Sequence, residues 1–277
     1  MTDVETAAKL TNAAPPVIRR LDYRPPDWLV PEIALDVGLD PARTEVRATL
    51  EVRRNGDHRR PLALDGAGLT PLAVRVDGED ASWTMADGRL VIALAGDAHR
   101  VETLVAIAPE TNTALMGLYA SSGMLCTQCE AEGFRRITFF PDRPDVLSRY
   151  TVRLEADAAR FPVLLSNGNR VAAGEAGGNR HWARWEDPFP KPCYLFAMVA
   201  GDLAANRDRF TTMSGRPVDL AIWVRAPDLP KTGHAMDALK AAMAWDERIY
   251  GREYDLDQFN IVAVDDFNFG AMENKGL

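Results

Sequence analysis

Two short stretches hold the residue types best suited to chemistry. Gln128 and Glu130 stand two residues apart within residues 123–144, GMLCTQCEAEGFRRITFFPDRP. If the backbone is extended there, both side chains leave the same face of a strand. An amide beside a carboxylate makes a receptor for a small cation such as a free amine. The carboxylate cancels charge, and both side chains offer oxygens that accept N–H bonds. A structural ion pair between Glu130 and Arg135 or Arg136 is the open alternative. The second stretch is Gly270-Ala271-Met272-Glu273-Asn274, just beyond a strand-like run, where loops often carry function. Its two small residues let a ligand approach backbone N–H and C=O groups. Glu273 adds a negative charge, with Asp265 and Asp266 close before it. Here the alternative is a polar turn after an edge strand.

Other chemistries have weaker support. Cys126 and Cys129 form a CxxC pair and Cys193 is alone, while His58, His99, His181 and His234 are scattered. A structural zinc site usually needs four ligands, and no spaced second half is present. No thioredoxin-like βαβ pattern surrounds the pair, so buried reduced thiols are expected. The acids lack the regular oxygen spacing of a hard-metal loop. Glu130 and Glu273 could be drawn as a glycosidase-like pair, but sequence does not measure their separation. His181, within HWARWED, reads as a strand or interface histidine, and His234 as solvated. There is no P-loop, GxSxG, dinucleotide fingerprint or HExxH.

These stretches need a scaffold. The chain has 277 residues, 47% of them hydrophobic and 26% charged, with a formal charge of −8. That composition suits a globular protein of about two domains and excludes global disorder, a fibrous repeat and a broadly cationic nucleic-acid binder. The first residues, MTDVETAAKL, do not resemble a secretory signal. The longest strongly apolar run, residues 194–200, is far short of the ~20 needed to span a bilayer. The expectation is a soluble protein of a reducing compartment, the cytoplasm, without nucleic-acid or membrane partners.

Ile33, Leu35, Val37 and Leu39 alternate with more polar neighbours, as do Val46, Ala48, Leu50 and Val52, then Tyr150, Val152 and Leu154. Period-two patterns predict strands with one face buried. Asp77-Gly78, Asp87-Gly88 and Asn167-Gly168 offer hairpin turns. Residues 161–165 and 193–199 read as more buried strands, and residues 1–28 as an irregular polar arm. Residues 202–212 are polar, residues 218–224 predict a strand, and residues 232–250 a helix. In that helix Thr232 is a possible cap, Met236, Leu239, Met243 and Trp245 form the apolar stripe, and Gly251 follows. Residues 259–264 predict a buried strand. The fold expected is mainly β. A large antiparallel, saddle-like β-sandwich domain over 1–202 is followed by the incomplete strand–helix–strand start of an α/β domain over 203–277.

VAVDDFNFGAMENKGL resembles the exopeptidase motif of the M1 family of zinc aminopeptidases, and YASSGMLCTQCEAEGFRRITFFPDRPDVLSRY is similar to its bacterial aminopeptidase N branch. The resemblance implies an N-terminal β domain followed by the opening of a thermolysin-like catalytic domain. It implies a peptide substrate with a free N-terminus, whose first residue is removed by zinc-assisted water attack. Gln128, Glu130 and Glu273 match residues that hold the α-ammonium, and Gly270 and Ala271 match residues bonding the peptide backbone. Met272 lies within the motif. Phe269 stands where bacterial relatives commonly carry a methionine lining the first side-chain pocket. HExxH, the third zinc-ligand glutamate and the transition-state tyrosine are missing, so they are expected beyond Leu277. No catalytic residue, metal ligand or bound zinc is then expected in these 277 residues, which are expected to be a silent, monomeric piece of the enzyme. The competing expectation is a non-catalytic module that binds peptide N-termini or a protein partner.

Overall fold

The computed structural model describes residue 17 and residues 19–277, so most of the polar arm expected over 1–28 lies outside the described residues. The fold is mainly β. Its largest sheet has eight strands in the order β13 (Asn169–Gly177), β14 (Arg180–Pro192), β11 (Leu147–Asp157), β1 (Trp28–Gly38), β2 (Thr44–Arg54), β8 (Ala98–Ile107), β4 (Pro71–Val76) and β5 (Glu79–Asp80). Neighbours run antiparallel except β1 and β11, which are parallel with Leu35 opposite Val152. The alternation read from sequence is the cause: Ile33, Leu35 and Val37 of β1 and Val46, Ala48, Leu50 and Val52 of β2 are all buried. Pro31 sits at a register shift between β1 and β2, where its missing N–H removes no ladder bond.

A small sheet, β3 (Leu62–Asp65), β7 (Arg89–Ile92) and β6 (Trp83–Ala86), covers part of this core. Asp77-Gly78 joins β4 to β5 and Asp87-Gly88 joins β6 to β7, with positive φ at all four residues, as tight hairpins require. Asn167-Gly168 does not form a hairpin. It carries the chain from one sheet to another.

That other sheet is β12 (Val163–Ser166), β15 (Met198–Gly201), β10 (Met124–Gln128) and β9 (Gly117–Ser121). The buried strand expected over 193–199 is divided. Residues Cys193–Leu195 make a 3-10 turn, and β15 begins only at Met198. Phe196 between them packs against Phe134 and Tyr150, with ring centroids 5.1 and 5.8 Å away. Filling that aromatic cluster requires the chain to bend where the apolar run suggested continuous strand.

The third small sheet is β16 (Ala204–Thr211), β17 (Pro217–Val224) and β18 (Gln258–Val262), with helix α1 (Gly233–Tyr250) between β17 and β18. β16 was not expected from its polar sequence. It is a partly exposed edge strand, and its ladder to β17 supplies the order that its side chains do not signal. Met236 and Met243 are buried against β17, but Trp245 is 44% exposed and stacks edge-on with Tyr250. Thr232 does not cap α1 with its side chain; its hydroxyl donates to the Leu229 carbonyl at 2.8 Å. Gly251 ends the helix in the left-handed conformation, φ 62°. Ala221 and Trp223 of β17 join the main core, so this sheet packs on the first body of the protein as well as on its own helix.

Candidate functional site

β10 ends at Gln128, and the chain curls at once: the Gly133 N–H donates to the Cys129 carbonyl at 2.8 Å, and a 3-10 turn follows over Phe134–Arg136. Glu130 therefore lies in a turn, and the extended backbone that would have put it on one strand face with Gln128 stops between them. Glycine permits the curl. A Cβ on Gly133 would lie 2.4 Å from the Gln128 carbonyl oxygen. The Glu130–Ala131 peptide bond is cis.

Gln128 is 1% exposed, and neither its amide nitrogen nor its amide oxygen has a hydrogen-bond partner among the described residues. Leaving such groups dry and unpaired costs about 1–3 kcal/mol each, so packing alone gives no reason for glutamine here. Glu130 is half-buried and makes no ion pair with any described residue. The alternative pairing with Arg135 does not occur, because Asp142 holds that guanidinium at 2.8 Å and Glu132 approaches it at 3.3 Å.

After β18 the chain runs without regular structure to Leu277. The acids that open this segment are engaged. Asp265 pairs with Arg225 at 3.0 Å, and the Asp266 carboxylate accepts from the Ser121 hydroxyl at 2.8 Å. Glu273, by contrast, is exposed and has no ion pair among the described residues. The space beside Gly270 is open, since a Cβ there would meet nothing within 4 Å.

A cavity of about 650 Å³ opens between this segment and the four-stranded sheet. Phe269, Gly270, Ala271, Met272 and Glu273 line it, together with Cys126 and Thr127 of β10. Gln128 and Glu130 are not in its wall; they lie one and three residues beyond Thr127, which is. A larger cavity, about 930 Å³, lies near Arg24 and Trp28, and two of its arginines are held by acids of its own wall. Arg60 pairs with Asp27 at 2.6 Å and Arg135 with Asp142 at 2.8 Å.

The thiols offer little reactivity. All three are buried and free. Burial pushes Cys126 up to about 11 and Cys129 well above the usual thiol range. Among the described residues no three His, Cys, Asp or Glu side chains converge as a metal site would require.

Residues 36–195 match the Peptidase M1 N-terminal domain, and residues 234–277 match the Peptidase family M1 domain. The chain belongs to peptidase family M1. It is 55% identical to aminopeptidase N of Caulobacter vibrioides over 266 residues, covering 95% of this chain and 31% of that protein. It is 51% identical to aminopeptidase N of Escherichia coli, covering 93% of this chain and 30% of that protein. Legionella pneumophila aminopeptidase A, solved with aspartic acid, superposes with a TM-score of 0.87 at 33% identity, over 92% of this chain and 31% of that one. The chain thus spans about 30% of the length of these relatives.

Sequence reasoning missed the residues that hold the segment in place. Tyr119, Ser121 and Asn167 bond to it across the fold, and Trp223 Nε1 donates to Asn260 Oδ1 at 2.8 Å to brace the strand before it. Only the Asn167-Gly168 dipeptide carried a signal, and that signal pointed to a hairpin.

Proposed function

We propose that this chain supplies the amino-terminus recognition of a zinc-dependent aminopeptidase, which removes the first residue of peptides. The observation that carries the reading is the cavity between the Gly270–Glu273 stretch and Thr127 of β10, one residue before Gln128, whose buried amide has no partner among the described residues. A protonated α-amine would give the Gln128 oxygen its missing donor, and Glu130 and Glu273 would cancel its charge. An internal peptide segment brings no such cation and would leave those groups unpaired, which favours a free N-terminus. Gly270 and Ala271 leave backbone groups open to the peptide, and Phe269 gives the cavity an aromatic wall.

The residues described here do not fit a zinc ion, so no step of this reading passes through one. Zinc and the residues activating water would come from the part of the relatives' length that this chain does not span. By themselves the 277 residues are expected to leave an alanyl anilide intact. The reading places a domain division at 202/203, supported by the change of sheet between Gly201 and Ala204. It includes a reducing, cytoplasmic setting, supported by three unpaired thiols, and takes the protein as a monomer. No described helix is long and apolar enough to cross a membrane.

The test is Glu273→Ala in the intact protein, measured with a free-amine peptide and its N-acetylated form. Loss of a charge-assisted bond should weaken the free-amine ligand by about 10–100-fold and leave the acetylated one nearly unchanged. Equal losses for both ligands would overturn the reading.

A further inference from the structure

The segment that carries Glu273 is fastened at opposite edges of the four-stranded sheet, and between them Asn268 Nδ2 donates to the Leu115 carbonyl at 2.9 Å, just before β9. At the β9 edge, Ser121 Oγ donates to the Asp266 carboxylate at 2.8 Å and accepts from the Asp266 N–H at 3.1 Å. Beside it, the Tyr119 hydroxyl donates to the Asp266 carbonyl at 2.8 Å. At the β12 edge, Asn167 Nδ2 donates to the Lys275 carbonyl at 3.0 Å.

The sheet register turns these two fastenings into a path. Ser121 stands opposite Met124, and Gly117 opposite Gln128. Ser166 pairs with Met198, while Val199 pairs with Cys126, so Asn167 lies at the Gln128 end of the sheet and Ser121 at the other. Three inter-strand steps and about four residues along the strands separate the two points, a diagonal of about 19 Å. The nine residue steps from Asp266 to Lys275 could reach about 30 Å if fully extended. The segment therefore has slack. Chain length does not set its course over the sheet; the fastenings do, and they bring its Glu273 end to the end where Gln128 sits.

We infer that Ser121, Tyr119 and Asn167 are positioning residues that hold the Phe267–Asn274 segment diagonally across the sheet and so place Glu273 toward Gln128. The inference rests on the recognition role proposed above. Each of the three side chains is at most 2% exposed, yet reaches a segment that is itself largely exposed. Asn167 also bonds the Ala197 N–H at 2.7 Å and the Leu195 carbonyl at 3.0 Å, so it serves the sheet as well. The Ser121 side chain bonds only to Asp266 among the described residues, which makes it the discriminating position.

Amide hydrogen exchange and steady-state kinetics on the intact protein test this with Ser121→Ala, Tyr119→Phe and Ser121→Thr. Ser121→Ala should raise exchange of the Asp266 amide, whose N–H donates to Ser121 Oγ, about tenfold without raising it in β1, β2 and β8. KM for an amino-acid anilide should rise by a similar factor, with kcat within about twofold. Tyr119→Phe should act in the same direction, and Ser121→Thr, which keeps the hydroxyl, should restore both quantities. Unchanged exchange at Asp266 would overturn the fastening. Raised exchange with an unmoved KM would overturn the positioning role. Failure of the recognition reading would show separately, as an absence of free-amine selectivity in Glu273→Ala.

Discussion

Lys191 and Asp187 form an ion pair at 3.0 Å with both side chains withdrawn from water, at 2% and 0% exposure. It is a charge contact more than an aligned hydrogen bond: neither Lys191 Nζ nor Asp187 Oδ2 has a partner of hydrogen-bond geometry among the described residues. The ammonium also lies 3.7 Å from the centroid of the Tyr150 ring. Burial lowers Lys191 to about 8 in spite of the attraction of Asp187, and Lys275 pushes in the same direction as burial. This pair braces β14 against β11, whose Tyr150 packs on Phe134 of the turn after β10.

The pair predicts a pH effect of definite sign. Between about 8 and 10.5 the unfolded chain holds a proton on this lysine that the native state has released. Stability from this group therefore rises with pH across that window, by up to about 3 kcal/mol, and is lost as pH falls through 8. The buried thiol of Cys129 and phenol of Tyr150 are raised and act oppositely at high pH. The measurement is thus a difference in urea midpoints between wild type and Lys191→Met/Asp187→Asn at pH 7.5 and pH 10. Lys191→Met alone should destabilise by about 3–5 kcal/mol, because Asp187 is left buried and uncompensated, and the double variant should recover most of that loss. An equally unstable double variant would count against the pairing.

Gln128 should show a trade between stability and recognition. Its buried amide has no partner among the described residues, so Gln128→Met should leave the thermal midpoint unchanged or raise it. The same change should weaken a free-amine peptide about tenfold or more by calorimetry, through loss of an acceptor for a charged donor. A fall in both quantities would mark Gln128 as structural.

Gly133→Ala should damage the site through the backbone. The new Cβ would crowd the Gln128 carbonyl at 2.4 Å and Cys129 Cα at 2.8 Å, where no flexible side chain is present to yield. A loss of about 1–3 kcal/mol in stability is expected, with weaker amine binding because the turn holding Glu130 must shift. Circular dichroism melts and calorimetry on the same samples check both.

The cysteines should resist thiol reagents while the protein is folded. Cys126 is pushed up to about 11, so little thiolate exists at pH 8, and burial denies access to all three sulfurs. Reaction with an aromatic disulfide reagent should be negligible in native protein and reach three thiols per chain in denaturant. Rapid native labelling of Cys126 and Cys129 would revive the redox reading.

Alternation in β1, β2 and β11 was legible because a strand's side chains switch face at every residue, so one chain segment declares its own pattern. The residues of Asp77-Gly78 and Asp87-Gly88 likewise announced their turns, since positive φ is a local demand. The chemistry-bearing stretches around Gln128 and Glu273 could be picked out by residue type alone. Three things could not be read that way. The polar segment of β16 became a strand because β17 offered a ladder, and Asn167 left its expected hairpin to join two sheets. The acids at 265 and 266 were taken up by Arg225 and Ser121, while Glu130 and Glu273 remained free of ion pairs among the described residues. Each of these outcomes depends on a partner between 6 and 145 residues away in the chain, and hydrogen bonds and ion pairs form only where the fold brings their ends within about 3 Å. Composition and spacing determined which side chains were available for amine recognition; only the tertiary structure decided which of them were already spent.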